Sequence, residues 1–439
     1  MKYKLVVATL LAVLTVTETD AQSRRERKRQ KERNERKAPV SHPDRRPTEN
    51  PRERDRQEAP KPRPKKILEV DYPRSVKKEV YRIDVLVPLY LDELVKNGKP
   101  TYKGKAPDKA ITGMDFYQGI RLAADTLEAR GYKLEVYVHD IASMGQGIKT
   151  LISRGTLDSS DLIIGAVQSA DIPEVAERAK KNNINFISAV SPSDAGVRNN
   201  PYFTLIQPRL QTHCEWIMKK IAEKYHKEQI TILYRTSVAS DENAYSYLTN
   251  ILEENNLRRL LCNKAPDSAE LAKAFSKEEL NVIIMPIVEN AYAEGLLKNL
   301  YKQFPGYKFA VYGMPSWRTM SGIRKPEAFP NVAVYYTAPF YFDPTTSGGQ
   351  LLNMGYQNRY NGKPGEMVYR GFEILYWYAT LLKEHGTIFN NDINDNKGAP
   401  FTKFQIKTEW DKKKEEVLYN ENQHLYLYRY QSSSYMIEQ

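Results

Sequence analysis

Cysteine is nearly missing from this chain. Its 439 residues hold only Cys214 and Cys262, too few for a disulfide framework, and neither has a metal-like set of partners nearby. Two readings stay open for the pair: one bridge in an exported chain, or two buried thiols. Long apolar runs are also missing beyond the first residues, so no transmembrane helix is expected there. Histidine is scarce: His42, His139, His213, His226, His385 and His424 are all there are, and none forms an HExxH-type ligand pair. There is no Gly-x-Ser-x-Gly nucleophile elbow. Gly145-Gln-Gly-Ile-Lys149-Thr150 lacks the spacing of a phosphate loop and reads as a helix start. With these signals absent, the expectation is a protein that is not an enzyme and carries no cofactor or metal.

One stretch lacks the means to fold. Gln22–Lys66 has no aromatic residue and almost no aliphatic one, and prolines recur from Pro39 to Pro64. It carries 18 Lys and Arg against 8 Asp and Glu, so most of the chain's net +12 sits here and the remainder is close to neutral. Such a segment cannot bury enough surface to offset its ordering entropy, and proline and self-repulsion keep it extended. It is read either as a tether to anionic envelope material, such as lipid head groups or cell-wall polymer, or as a solvated spacer. Before it, Met1–Ala21 has Lys2 and Lys4, then the short apolar run Leu5–Val16, then Thr19-Asp20-Ala21, the layout of a cleaved secretory signal. No cysteine follows that would take a lipid anchor, and an exported chain argues against a nucleic-acid partner. The expected division is a signal at 1–21, a disordered linker at 22–78 and a folded part at 79–439.

What the folded part does have is alternation. Asp161–Gly165 is a short apolar run that ends in glycine and suits a buried parallel strand. Ala166–Asp171 is a tight loop, Ile172–Asn182 has helical spacing, and Ile184–Val190 is a second buried strand. This βαβ unit places its loops where open α/β sheets bind ligands. Upstream, Tyr81–Leu89 and Tyr132–Ile141 are predicted strands. Between them Thr112-Gly-Met-Asp115 fits a capping box, and Phe116, Ile120, Ala123 and Leu127 line one helix face. A second series runs through Gln229–Tyr234, Leu280–Ile287, Tyr307–Tyr312 and Val332–Tyr336. Pro364–Gly386 is a predicted helix, and Phe404–Lys407 and His424–Tyr430 are late strands. The fold class is α/β, with two doubly wound parallel-sheet lobes.

Several stretches carry a family resemblance: DFYQGIRLAADTLEARGYKLEVYVHD, DLIIGAVQSADIPEVAERAKKNNINFISAVSPSD followed by NPYFTLIQP, YYTAPFYFDP, and GYQNRYNGKPGEMVYRGFEILYWYA. Over about 81–430 the chain resembles the type I periplasmic binding proteins, in the Leu/Ile/Val-binding branch of extracellular solute receptors. It also resembles the envelope form sometimes attached to LysM repeats, although no such repeat is present. The resemblance implies a periplasmic-binding-protein-like I fold whose lobes share a multi-strand hinge. Lobe 1 would comprise about 80–206 and 340–386, and lobe 2 about 207–339 and 387–439. Hinge closure would trap a ligand between them.

In amino-acid-binding relatives a serine-rich loop holds the ligand carboxylate on free N–H groups at a helix start, where the helix dipole assists. The matching positions here are Gln168, Ser169 and Ala170, with Ser191 on the next strand's loop and Ser193 nearby. Asp171-Ile-Pro-Glu174 argues the other way. Read as a capping box with proline in the first turn, it puts Asp171 on those same donors, where it would also repel an anion. For the ligand ammonium, relatives use an acid in the second lobe. The matching Gly313–Trp317 has none, and Ser316 and Trp317 stand there instead. Trp317 either stacks on a ring or sugar or anchors packing. Glu289 and Asn290 after an apolar strand, and Tyr90 and Asp140 at the ends of the first two strands, either face the crevice or serve local packing and capping. Two functions follow. One is an exported receptor, periplasmic or secreted, that holds an amino acid or similar small ligand and works with a transporter or envelope protein. The other is an envelope scaffold or regulator that binds protein or peptidoglycan and has a degenerate cleft.

Overall fold

A computed structural model of the chain describes residues 68–251, 257–264, 268–325, 329–431 and 434–438. The expected signal and nearly all of the basic linker lie outside the described residues. In chain order the strands are β1 (Tyr81–Val87), β2 (Val95–Lys96), β3 (Lys99–Pro100), β4 (Leu134–Asp140), β5 (Leu162–Gly165), β6 (Asn185–Ser188), β7 (Phe203–Leu205) and β8 (Ile230–Tyr234). They continue with β9 (Arg258–Leu261), β10 (Leu280–Ile284), β11 (Lys308–Tyr312), β12 (Val332–Ala338), β13 (Ile406–Asp411), β14 (Glu416–Asn422), β15 (Tyr426–Gln431) and β16 (Ser434–Glu438). Apart from the β2–β3 hairpin they build two sheets, β13-β14-β7-β6-β5-β1-β4 and β16-β15-β12-β11-β10-β8-β9.

Each sheet has a parallel core with the same winding. β4, β1, β5, β6 and β7 run parallel in one, and β9, β8, β10, β11 and β12 in the other. In both, the second strand lies outside the first and the rest add on its other side. The strand order therefore reverses beside β1 and β5 in the first lobe, and beside β8 and β10 in the second. Outside the carboxyl ends of such strands, open α/β sheets form their ligand crevice.

The packing explains why these runs became strands. In β5, Leu162 and Ile164 join the layer of the helices Asp108–Ala129 and Glu366–His385, while Ile163 joins Ile172 and Val175 on the other side. A strand covered on both faces needs apolar side chains at every position, not at alternate ones. The two long helices approach closely at glycines. A Cβ on Gly119 would lie 2.0 Å from the Val368 carbonyl oxygen, and one on Gly371 would lie 2.2 Å from that of Phe116.

Four differences from the sequence reading have physical reasons. The first helix starts at Asp108, not at Thr112, so Thr112 and Asp115 lie inside it and form no cap. Residues 68–78, expected in the linker, lie on the first lobe: Tyr72 packs edge-on against Tyr202, Ser75 Oγ donates to the His385 carbonyl at 2.6 Å, and the Thr387 amide donates to Val76 O at 3.0 Å. The late region holds four strands, and its polar loops hid them. Finally, residues 387–422 do not join the second lobe. β14 pairs in parallel with β7 of the first sheet, and Asn390 exchanges side-chain hydrogen bonds with Asn185. Only β15 and β16 complete the second sheet, with β15 antiparallel to β12.

The chain thus passes between sheets after β7, after β12 and after β14. These crossings are tied together. Arg209 follows the first of them, and its amide and Nε donate to Glu421 of β14 at 2.9 and 2.8 Å. Asn422 Nδ2 donates to Ile206 O at 3.3 Å, and Tyr428 Oη to Phe340 O at 2.9 Å. β7 and β12 run in the parallel cores, so the crossings that follow them start at the carboxyl edges of the two sheets.

Candidate functional site

The first lobe contributes two loops to the crevice. After β5 the chain turns through Ala166–Asp171 into the helix Ile172–Lys181, and after β6 it runs through Val190–Ser193. Ser169 Oγ and Ser191 Oγ lie 3.1 Å apart, so two positions 22 residues apart in sequence become neighbours. Ser191 is buried and its Oγ accepts from the Ser193 amide at 3.3 Å, while Gln168, Ser169 and Ala170 are exposed. The expected cap is absent. Asp171 has helical backbone angles and its side chain takes no hydrogen bond from the helix start. Its amide donates to Gln168 O at 3.0 Å, which closes the loop as a turn. Burial, with Glu174 adding like charge, raises its carboxyl above the usual range. Asp171 therefore does not occupy those donors, and the helix start takes no side-chain cap from its own N-cap residue.

Tyr90 and Asp140 close the same edge. Tyr90 is half-buried, has a left-handed backbone, and carries Lys109 Nζ 4.5 Å from its ring centre. Asp140 accepts from the amides of Leu89 and Leu91 at 2.8 Å and from Tyr90 at 3.1 Å. Burial works against its charge, but Ser143 and these amides outweigh it and hold the carboxyl below its ordinary range. Asp140 thus fixes the loop that presents Tyr90.

In the second lobe the residues of the Gly313–Trp317 stretch serve their own lobe. Trp317 is fully buried and its indole N–H donates to Ile287 O at 2.7 Å, the packing alternative. Ser316 Oγ donates to Val288 O at 2.7 Å. Asn290 Nδ2 donates to Thr319 Oγ1 at 2.9 Å, while its Oδ1 is buried without a partner. Together they brace the loop after β10.

The residue that sequence reasoning missed is Arg235. It follows β8 at the second lobe's reversal point and is only 4% exposed. Its guanidinium pairs with buried Asp241, reaches Glu289 Oε2 at 2.7 Å and lies 4.2 Å from the ring centre of Tyr292. An arginine ending the apolar run Ile-Thr-Ile-Leu-Tyr was the available signal. Asp241 also accepts the Val288 amide at 2.7 Å, so this cluster holds the same loop as Trp317 from the opposite side. Among the described residues no group of histidine, cysteine or carboxylate side chains is arranged to hold a metal. Cys214 and Cys262 are buried free thiols, and burial pushes both up to about 12.

Two wound lobes crossed three times by the chain define a two-lobed architecture. The comparisons agree with it. The description of the family called periplasmic binding protein matches residues 106–396, well over half of the chain, and the chain belongs to that family. Among curated proteins none matches. Similar solved structures include an ABC transporter substrate-binding protein from Desulfitobacterium hafniense in complex with Leu, at 15% identity and a TM-score of 0.50, covering 82% of this chain and 100% of that one. A putative branched-chain amino acid ABC transporter from Rhodospirillum rubrum is 12% identical with a TM-score of 0.57, covering 82% and 99%. A leucine-, isoleucine-, valine-, threonine- and alanine-binding protein from Brucella ovis is 12% identical with a TM-score of 0.51, covering 82% and 95%. At these identities the likeness is one of fold. Among the described residues no helix is long and apolar enough to cross a membrane.

Proposed function

We propose that the protein is an exported receptor that holds a small amino-acid-like carboxylate between its lobes and hands it to a transporter or reports it to an envelope partner. The observation that supports this most is the juxtaposition of Ser169 and Ser191 at the first lobe's reversal point, beside a helix start that its own Asp171 leaves uncapped. Two hydroxyls and the amides of 168–170 make a donor set for one carboxylate, while Glu289 and the unpartnered Asn290 Oδ1 are the second-lobe groups that suit an ammonium. The structures named for amino acids that share this fold point the same way.

The test is thermal melting of the purified chain against amino acids, short peptides and sugars. A ligand at a hundred times its dissociation constant stabilises by about 2.7 kcal/mol, which is several degrees. One carboxylate is expected to raise the Tm, and Ser169→Ala combined with Ser191→Ala to abolish the rise. A second reading rests on Ser316 and Trp317, which are turned to their own lobe: a scaffold with a degenerate cleft. It predicts no shift across the panel, together with binding to cell-wall sacculi that needs Gln22–Lys66.

A further inference from the structure

The second sheet carries a row of tyrosines near the crossings: Tyr336 on β12, Tyr428 and Tyr430 on β15, and Tyr435 on β16. Their neighbouring ring planes are 4–25° apart, with centroids at 5.2–6.4 Å. Between this row, the Phe340–Phe342 crossing and the pair Arg318–Glu366 lies a cavity of about 260 Å³, which Arg324 also lines. The pair joins the lobes, since Arg318 follows β11 and Glu366 opens the long helix of the first lobe. None of the serine-loop residues lines the cavity.

Its chemistry is one-sided. Two guanidiniums and several phenol groups meet a single carboxylate, Glu366, which Arg318 and Arg370 already hold. Arg370 lies 4.0 Å from the centre of the Phe340 ring, so a third positive charge backs that wall. Burial raises the phenols of Tyr336 and Tyr428, which keeps them protonated. Three cations around one anion favour a further anion, and stacked rings supply an apolar flank. At roughly 30 Å³ per water the space holds about nine, so a molecule of about that many non-hydrogen atoms fits. We propose that this cavity is a second ligand site, which takes a small organic carboxylate with an aromatic or apolar flank and grips the carboxylate on Arg318 and Arg324. A free metabolite and the carboxyl terminus of a peptide share this chemistry. A carboxylate on Arg318 competes with Glu366 and so loosens a contact between the lobes.

The test titrates the full chain calorimetrically with benzoate, its neutral analogue benzamide, and acetyl-Gly-Gly-Gly-Phe as free acid and as amide. Benzoate is expected to bind once, with a Kd on the order of 1 mM for so small a ligand. Arg324→Gln, at an exposed residue, is expected to weaken it at least tenfold, and Tyr435→Ala about threefold. Binding by the peptide acid as well as benzoate identifies a peptide terminus as a source, and binding by benzoate alone a free metabolite. Equal binding of benzamide, unchanged affinity in Arg324→Gln, or absence of binding by every acid overturns the proposal. So does loss of benzoate binding in Ser169→Ala with Ser191→Ala, which moves the ligand to the serine loops. If the serine-loop reading alone fails, the benzoate result is unaffected.

Discussion

Two buried titratable residues make opposite demands on pH. Glu373 is fully buried and accepts from Thr402 Oγ1 at 2.9 Å. Burial pushes it from 4.5 up to about 7 against the pull of Thr402. Between those values it is protonated when folded and ionised when unfolded, so its contribution is present at low pH and is lost as pH rises, by ~3 kcal/mol. His213, whose Nδ1 lies 2.7 Å from Thr337 Oγ1, is pushed by burial from 6.5 down to about 3. It stays neutral where the unfolded chain is charged, so its contribution is lost as pH falls through that window. Between about pH 4.5 and 6.5 the two offset each other. Glu373→Gln removes one side. Urea unfolding at pH 4.5 and pH 7.5 is expected to show the stability of the wild type falling by ~3 kcal/mol relative to the variant toward the higher pH. A gap that does not move with pH overturns the assignment.

At the scale of elements, the contact between Asp108–Ala129 and Glu366–His385 rests on having no side chain at two positions. Replacing a mid-helix glycine by alanine ordinarily gains up to ~1 kcal/mol. Gly295 in the helix Asn290–Gln303 has nothing within 4 Å of an added Cβ, and Gly295→Ala is expected to raise the Tm. Gly371→Ala puts its methyl 2.2 Å from Phe116 O, so the helices must part. It is expected to lose ~1–3 kcal/mol and lower the Tm. Stabilisation by both variants contradicts the packing. Much of the element level was legible beforehand. Runs such as Leu162–Gly165 and Val282–Ile284 are apolar throughout because helices cover both faces, and their shortness fits strands of such sheets. The capping box at Thr112 misled, because Asp108–Ala110 are good enough helix residues to extend the helix past a local signal.

For the whole molecule, the boundary between tail and fold is the feature to test. Tyr72, Ser75 and Val76 attach the segment 68–78 to the first lobe beside Thr387 and Ile388. A chain starting at residue 68 is expected to melt at the full-length Tm. One starting at residue 79 is expected to melt several degrees lower, since it loses these hydrogen bonds and the burial of Tyr72. Equal melting of both would detach the strap from the fold. Binding to anionic vesicles that disappears on starting at residue 68 would favour the tether over the spacer.

The sequence by itself determined the two wound lobes, because strand burial, helical period and turn residues are local properties of the chain; the family and the serine loops as the place to look came from the resemblance of particular stretches. Three things were decided only in three dimensions. The strands of 406–422 joined the first sheet because a strand takes the edge its neighbours leave open, and β7 left one. Trp317 turned into its own lobe because Ile287 O was the acceptor within reach of its N–H. The tyrosine and arginine cavity gathers residues from 318 to 435, whose distance along the chain hides that they share one wall.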